Sequence, residues 1–152
     1  MEYYKQKYVY TCGPASVRMV LAELGIKKSR DWLVKKLSTN RRVGTRHASL
    51  VSLFENLKLD FRVHRNYKIS DLSRLSNKGY YIIICYTPPA ETFGHFAVFR
   101  RANSKFIFLH DPWFGPDFKI KRNTFRTHWK DNEGNSGWLI AVKKINSVRR
   151  TR

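Results

Sequence analysis

The chain has 152 residues, and 30 lysines and arginines against 11 aspartates and glutamates give it a formal charge of +19. That charge excludes a neutral or acidic surface and admits nucleic acid, an anionic membrane surface or an acidic protein as partners. Apolar residues at 42 % and aromatics at 14 %, with no repeat or low-complexity tract, exclude disorder, while two cysteines exclude a disulfide scaffold.

In chain order, Gly13-Pro14 followed by Ala15, Met19, Val20, Leu21 and Leu24 predicts a helix face, with Pro14 in its first turn and Gly25 as its stop. Ser29 predicts the cap of a second helix carrying Trp32, Leu33 and Leu37. Thr45 predicts the cap of a third, carrying Leu50, Val51, Leu53, Phe54 and Leu57. Phe61-Arg62-Val63-His64 alternates as a short strand, Ser70-Asp71 introduces a brief helix through Leu75, and Tyr80 to Tyr86 reads as an apolar strand. Strands follow over 95–101, 105–111, around 117–121 and 137–142, with a short helix from Asn123 to Trp129. The order predicts one α+β domain over 1–152, its N-terminal helices packed on an antiparallel sheet, with a flexible basic tail over about 146–152.

No apolar run is long enough to span a bilayer, and Met1-Glu2-Tyr3-Tyr4-Lys5 lacks the apolar stretch of a secretory signal, so the expected compartment is the cytoplasm. His47, His64, His95, His110 and His128 are scattered, with no Cys/His spacing of a zinc site, and Cys85 lies inside an apolar strand as a small buried hydrophobe. Neither a metal nor a cofactor is expected.

Cys12 carries the chemistry. It opens the first predicted helix, where unpaired backbone N–H groups and the helix dipole favour an anion, as a thiolate nucleophile requires. A thiol nucleophile also needs a base, a group orienting that base, and donors for the oxyanion. The segments 94–101 and 105–111 form a hairpin across Ala102-Asn103-Ser104, and a three-residue loop pairs Phe99 with Ile107, Ala97 with Leu109 and His95 with Asp111. Opposed residues share a face, which sets a carboxylate beside an imidazole. His110 points to the other face and has no such access to Asp111. His47, His64 and His128 have no comparable argument and are expected at the surface or core edge. Gln6 lies six residues before Cys12, where a side-chain amide could donate to a developing oxyanion together with the Cys12 N–H; taken alone it reads as an exposed glutamine, and its spacing gains weight only through a family resemblance.

Gln6 with Tyr10-Thr11-Cys12-Gly13-Pro14-Ala15-Ser16-Val17-Arg18-Met19-Val20-Leu21, then Gly94-His95-Phe96-Ala97-Val98, then Asp111-Pro112-Trp113-Phe114-Gly115 form an ordered set. It resembles the papain-like cysteine peptidases of the bacteriocin-processing, double-glycine family and its stand-alone relatives. Gly44-Thr45 before a helix and Trp129 after the last short helix also fit. The resemblance implies a papain-like fold and a thiol hydrolase that cleaves a peptide or isopeptide bond. It implies Cys12 as nucleophile, His95 as general base and acid, Asp111 as orienting carboxylate and Gln6 as oxyanion donor. Thr11 stands where exporter-borne members often carry aspartate, which argues against double-glycine leader cleavage. A peptide or protein substrate, acidic to match the surface, is the implied partner. The rival readings are a nucleic-acid-binding or inactive peptide-binding module on the same scaffold, and an acyltransferase using the same triad.

Overall fold

The computed structural model describes residues 1–145, which form five helices and six strands: α1 (Cys12–Glu23), α2 (Arg30–Lys36), α3 (His47–Asn56), β1 (Asp60–His64), α4 (Ile69–Asn77), β2 (Tyr81–Tyr86), β3 (His95–Ala102), β4 (Phe106–Asp111), β5 (Gly115–Lys121), α5 (Arg122–His128) and β6 (Leu139–Lys143). The expected basic tail lies outside the described residues. The strands form one antiparallel sheet in the order β1-β6-β2-β3-β4-β5. The α+β expectation is borne out.

The continuous apolar run of β2 has a simple cause: both of its faces are covered. Ile83 and Cys85 join the helices α1, α2 and α3 in one core, while Ile82, Ile84 and Tyr86 join α4 and α5 in another. Each fully buried isoleucine contributes roughly 1.5–3 kcal/mol of transfer free energy, so the central strands anchor the fold from both sides. Nine of the twelve residues of α1 are buried, which makes it an interior helix rather than an amphipathic surface one. Cys12 is therefore mounted on a rigid element.

Helix ends agree with the sequence reading at α1 and α2, while α4 starts at Ile69 with Lys68 in the cap position, so Ser70 and Asp71 lie inside its first turn, and it runs on to Asn77. Ser29 accepts from Trp32 N at 3.1 Å, and Gly25 adopts φ +80 just beyond the end of α1. Thr45, however, does not cap α3. The helix starts at His47 with Arg46 in the cap position, and Thr45 Oγ1 instead bonds Thr39 Oγ1 at 2.6 Å. The cap comes from a distant residue, because His47 N donates to Glu133 Oε2 at 3.3 Å. Gly13 is required by packing: a Cβ there would lie 2.6 Å from Thr45 Cβ.

Candidate active site

Thr11 precedes α1 and locks the approach to it, since its hydroxyl donates to Tyr8 O at 3.0 Å and accepts from Tyr8 N at 3.1 Å. Cys12 is thereby fixed as the first residue of the helix. The residue is 9 % exposed, and its thiol accepts from Phe96 N, one residue beyond His95, at 3.5 Å. The nucleophile candidate therefore touches the strand that carries the base candidate.

His95 begins β3 and Asp111 ends β4, but not in the expected register. Val98 faces His110 and Phe99 faces Leu109, with a bulge between Phe99 and Arg101. Asp111 is thus level with Ala97 rather than His95. The shift is two residues, and an even shift leaves side chains on the same face. His95 Nε2 meets Asp111 Oδ1 at 2.7 Å across this diagonal. The contact was expected from the wrong pairing, and it survives because parity, not register, decides the face.

Asp111 is fully buried and every one of its contacts is used. Oδ1 also accepts from Trp113 N at 2.9 Å and Phe114 N at 3.0 Å, closing the β4–β5 turn, and Oδ2 accepts from Tyr86 OH at 2.6 Å. One carboxylate serves both the turn and the imidazole. Burial works against its charge, but the His95 hydrogen bond and charge, then Tyr86 and the turn N–H, hold it below the usual carboxylate range. Tyr86, directly opposite His95 in β2, is kept protonated by burial and by the Asp111 charge. Sequence reading missed this tyrosine, although the signal was present as a polar-tipped residue ending the apolar strand beside His95.

Burial also works against a charged His95, yet its pKa is pushed up to about 10 by the charge of Cys12, the hydrogen bonds to Asp111 and Cys12, and the Asp111 charge. With Nε2 on Asp111, the other ring nitrogen is left for the thiol. The arrangement favours a charged His95 ring beside Cys12.

Gln6 is buried at 4 % exposure, and its backbone N donates to Pro112 O at 3.0 Å, pinning the N-terminal arm to the Asp111 turn. Its Nε2 donates to Tyr8 O at 2.7 Å and Val9 O at 3.1 Å, while Oε1 has no partner. The amide is thus directed into the loop just ahead of Cys12.

Cys12 and His95 open into a cleft of about 950 Å³. Its rim combines exposed Val9, Val43, Phe93 and Trp113 with Lys7, Arg41, Arg42 and Arg46. His47 also lines this cleft, at the edge of the core. It is 8 % exposed, its ring packs edge-on against Trp138 with centroids 4.2 Å apart, and it contacts Asp131 and Glu133. His64 stacks on Tyr67, His110 Nε2 contacts Met1 O at 3.2 Å, and His128 Nδ1 contacts Thr87 O at 3.0 Å. None of these three lines the cleft.

The sequence model of the Peptidase C39 family matches residues 1–133 of the chain. Among curated proteins none matches. Among solved structures, the fold is similar to the peptidase domain of Streptococcus ComA, a bifunctional ABC transporter involved in quorum sensing. The TM-score is 0.74 at 17 % identity, over 95 % of this chain and 98 % of that one. It is also similar to a chain described as a C39-like peptidase from Bacillus anthracis, with TM-score 0.77 at 17 % identity over 95 % of each. A double-glycine motif protease from an AMS/PCAT transporter, solved with a leader peptide, gives 0.71 at 21 % identity over 94 % of this chain and 91 % of that one. The chain belongs to the Peptidase C39 family.

Proposed function

We propose that this C39-family chain is a cysteine peptidase working through an acyl-enzyme on Cys12. The observation that carries the proposal is the buried His95, gripped by Asp111 at 2.7 Å on one nitrogen, with Cys12 beside it at a helix start. The thiolate attacks the scissile carbonyl carbon, and the carbonyl electron pair moves onto oxygen. The Cys12 N–H and the Gln6 amide donate to that oxyanion, the latter by releasing the longer of its two loop contacts, the one to Val9 O at 3.1 Å. The His95 imidazolium gives its proton to the departing amine, leaving a thioester. His95, now neutral, takes a proton from water; the hydroxide opens the thioester and restores the thiolate. Asp111 holds the ring orientation throughout. An amine in place of that water would make the same intermediate an acyl donor.

Substrate preference follows from the rim. Lys7, Arg41, Arg42 and Arg46 favour acidic residues near the scissile bond, and Val9, Val43, Phe93 and Trp113 offer apolar contacts. Among the described residues no helix is long and apolar enough to cross a membrane.

The test is a peptide-library digest read by mass spectrometry with wild type, Cys12→Ala and His95→Ala. Cleavage by wild type alone, with preference for acidic flanks, is the expected result; cleavage persisting in purified Cys12→Ala would overturn the assignment.

A further inference from the structure

The cleft wall holds a second group of ligand-capable side chains that the peptidase reading leaves without a role. His47 opens α3, Cys85 lies in β2 and Asp131 follows α5, yet one ligand-capable atom from each falls within 4.8 Å of the others. We propose that His47 Nε2, Cys85 Sγ and Asp131 Oδ2 form a binding site for a thiophilic divalent cation of the zinc type.

The donor set and its supports fit such an ion. Imidazole, thiolate and carboxylate are the three ligand types zinc takes in proteins, and three protein ligands leave a fourth tetrahedral position open. Glu133 Oε2 meets His47 Nδ1 at 2.6 Å, the carboxylate–histidine support that fixes a ligand tautomer and leaves Nε2 to the metal. Asp131 is oriented too: Oδ1 accepts from Glu133 N at 2.8 Å and Asn135 N at 3.1 Å, which aims Oδ2 at His47 Nε2, 2.8 Å away. Gly94 completes the enclosure. A Cβ there would lie 3.0 Å from Cys85 Sγ and 3.2 Å from Asp131 Cβ, so both ligands pack on one bare α-carbon. Binding involves no redox step: the cation replaces the hydrogen shared by His47 and Asp131 and the thiol hydrogen of Cys85, and both protons leave to solvent. Because these residues and Cys12 line the same cleft, the ion would bring positive charge and an open coordination position beside the nucleophile.

Cobalt(II) titration of the full chain, followed by absorption, tests this without any peptide substrate, so its failure is distinguishable from failure of the peptidase assignment. The decisive background is Cys12→Ala, which leaves Cys85 as the one thiol. A thiolate-to-cobalt charge-transfer band saturating at one ion per chain in that background is expected. It should be lost in Cys12→Ala with His47→Gln, and weakened about 10–100-fold in Cys12→Ala with Glu133→Gln. A band present in wild type but absent in Cys12→Ala would assign the metal to the catalytic thiol and overturn the proposal. So would undiminished binding in the His47→Gln variant, with circular dichroism verifying that each variant is folded.

Discussion

Replacing Asp111 by Asn removes a charge while keeping the shape of a fully buried turn. The retained carbonyl can still accept from Trp113 N and Phe114 N, now at 2.9 and 3.0 Å, and from His95 Nε2, now at 2.7 Å, while the new NH₂ can donate to the Tyr86 oxygen. What changes is the strength of the hydrogen bond to the charged ring. Charge-assisted bonds contribute about 1.5–3 kcal/mol net against about 0.5–1.5 for neutral ones. A difference of about 1.4 kcal/mol corresponds to one pKa unit, so the His95 pKa, about 10 in the native protein, should fall by roughly one unit. Cys12→Ser should lower it further, because the Cys12 charge is the strongest upward influence on the ring. The assay is long-range ¹H–¹⁵N correlation NMR of the histidine rings against pH, which needs no substrate. A His95 ring that titrates near its ordinary 6.5 in wild type, or one unmoved by both substitutions, would refute the argument for a charged ring.

Asp111→Ala is a different perturbation, stripping the acceptor from His95, Tyr86 and two turn N–H groups; a loss of at least about 3 kcal/mol is expected in urea unfolding. The raised His95 pKa also sets a pH signature. A folded state that holds its proton more tightly than the unfolded chain is stabilised below pH 6.5 and loses that advantage as pH rises through about 10. The melting-temperature gap between wild type and His95→Gln should therefore narrow over that window, and a gap constant with pH would contradict it. Gln6→Ala should lower kcat by about 10²–10³ if its amide reaches the oxyanion; a change confined to the melting temperature would make it a loop-pinning residue. Reversing Arg41 and Arg42 to Glu should lower kcat/KM selectively on acidic peptides, with the difference shrinking as salt rises; an equal loss on all peptides would point away from charge recognition.

Local constraints were legible in the sequence wherever one residue type answers one geometric need. Gly25 past the end of α1, Ser29 at the cap of α2 and the period-two alternation that separates His110 from Asp111 all belong to this class. The His95–Asp111 contact was reached by counting a hairpin whose bulge between Phe99 and Arg101 could not be counted in advance, and it held only because the error was even. Thr45 misled for the opposite reason. Its type suits a cap, but Gly13 presses against it and Thr39 takes its hydroxyl, so the α3 terminus is satisfied by Glu133 from 86 residues away. The same long-range closure gathers His47, Cys85 and Asp131, whose separations along the chain match no ligand spacing. Here the start of β3 meets β2 and the loop after α5, and Gly94, which has no side chain to hold them apart, lets Cys85 and Asp131 approach each other within the cleft that Cys12 also lines.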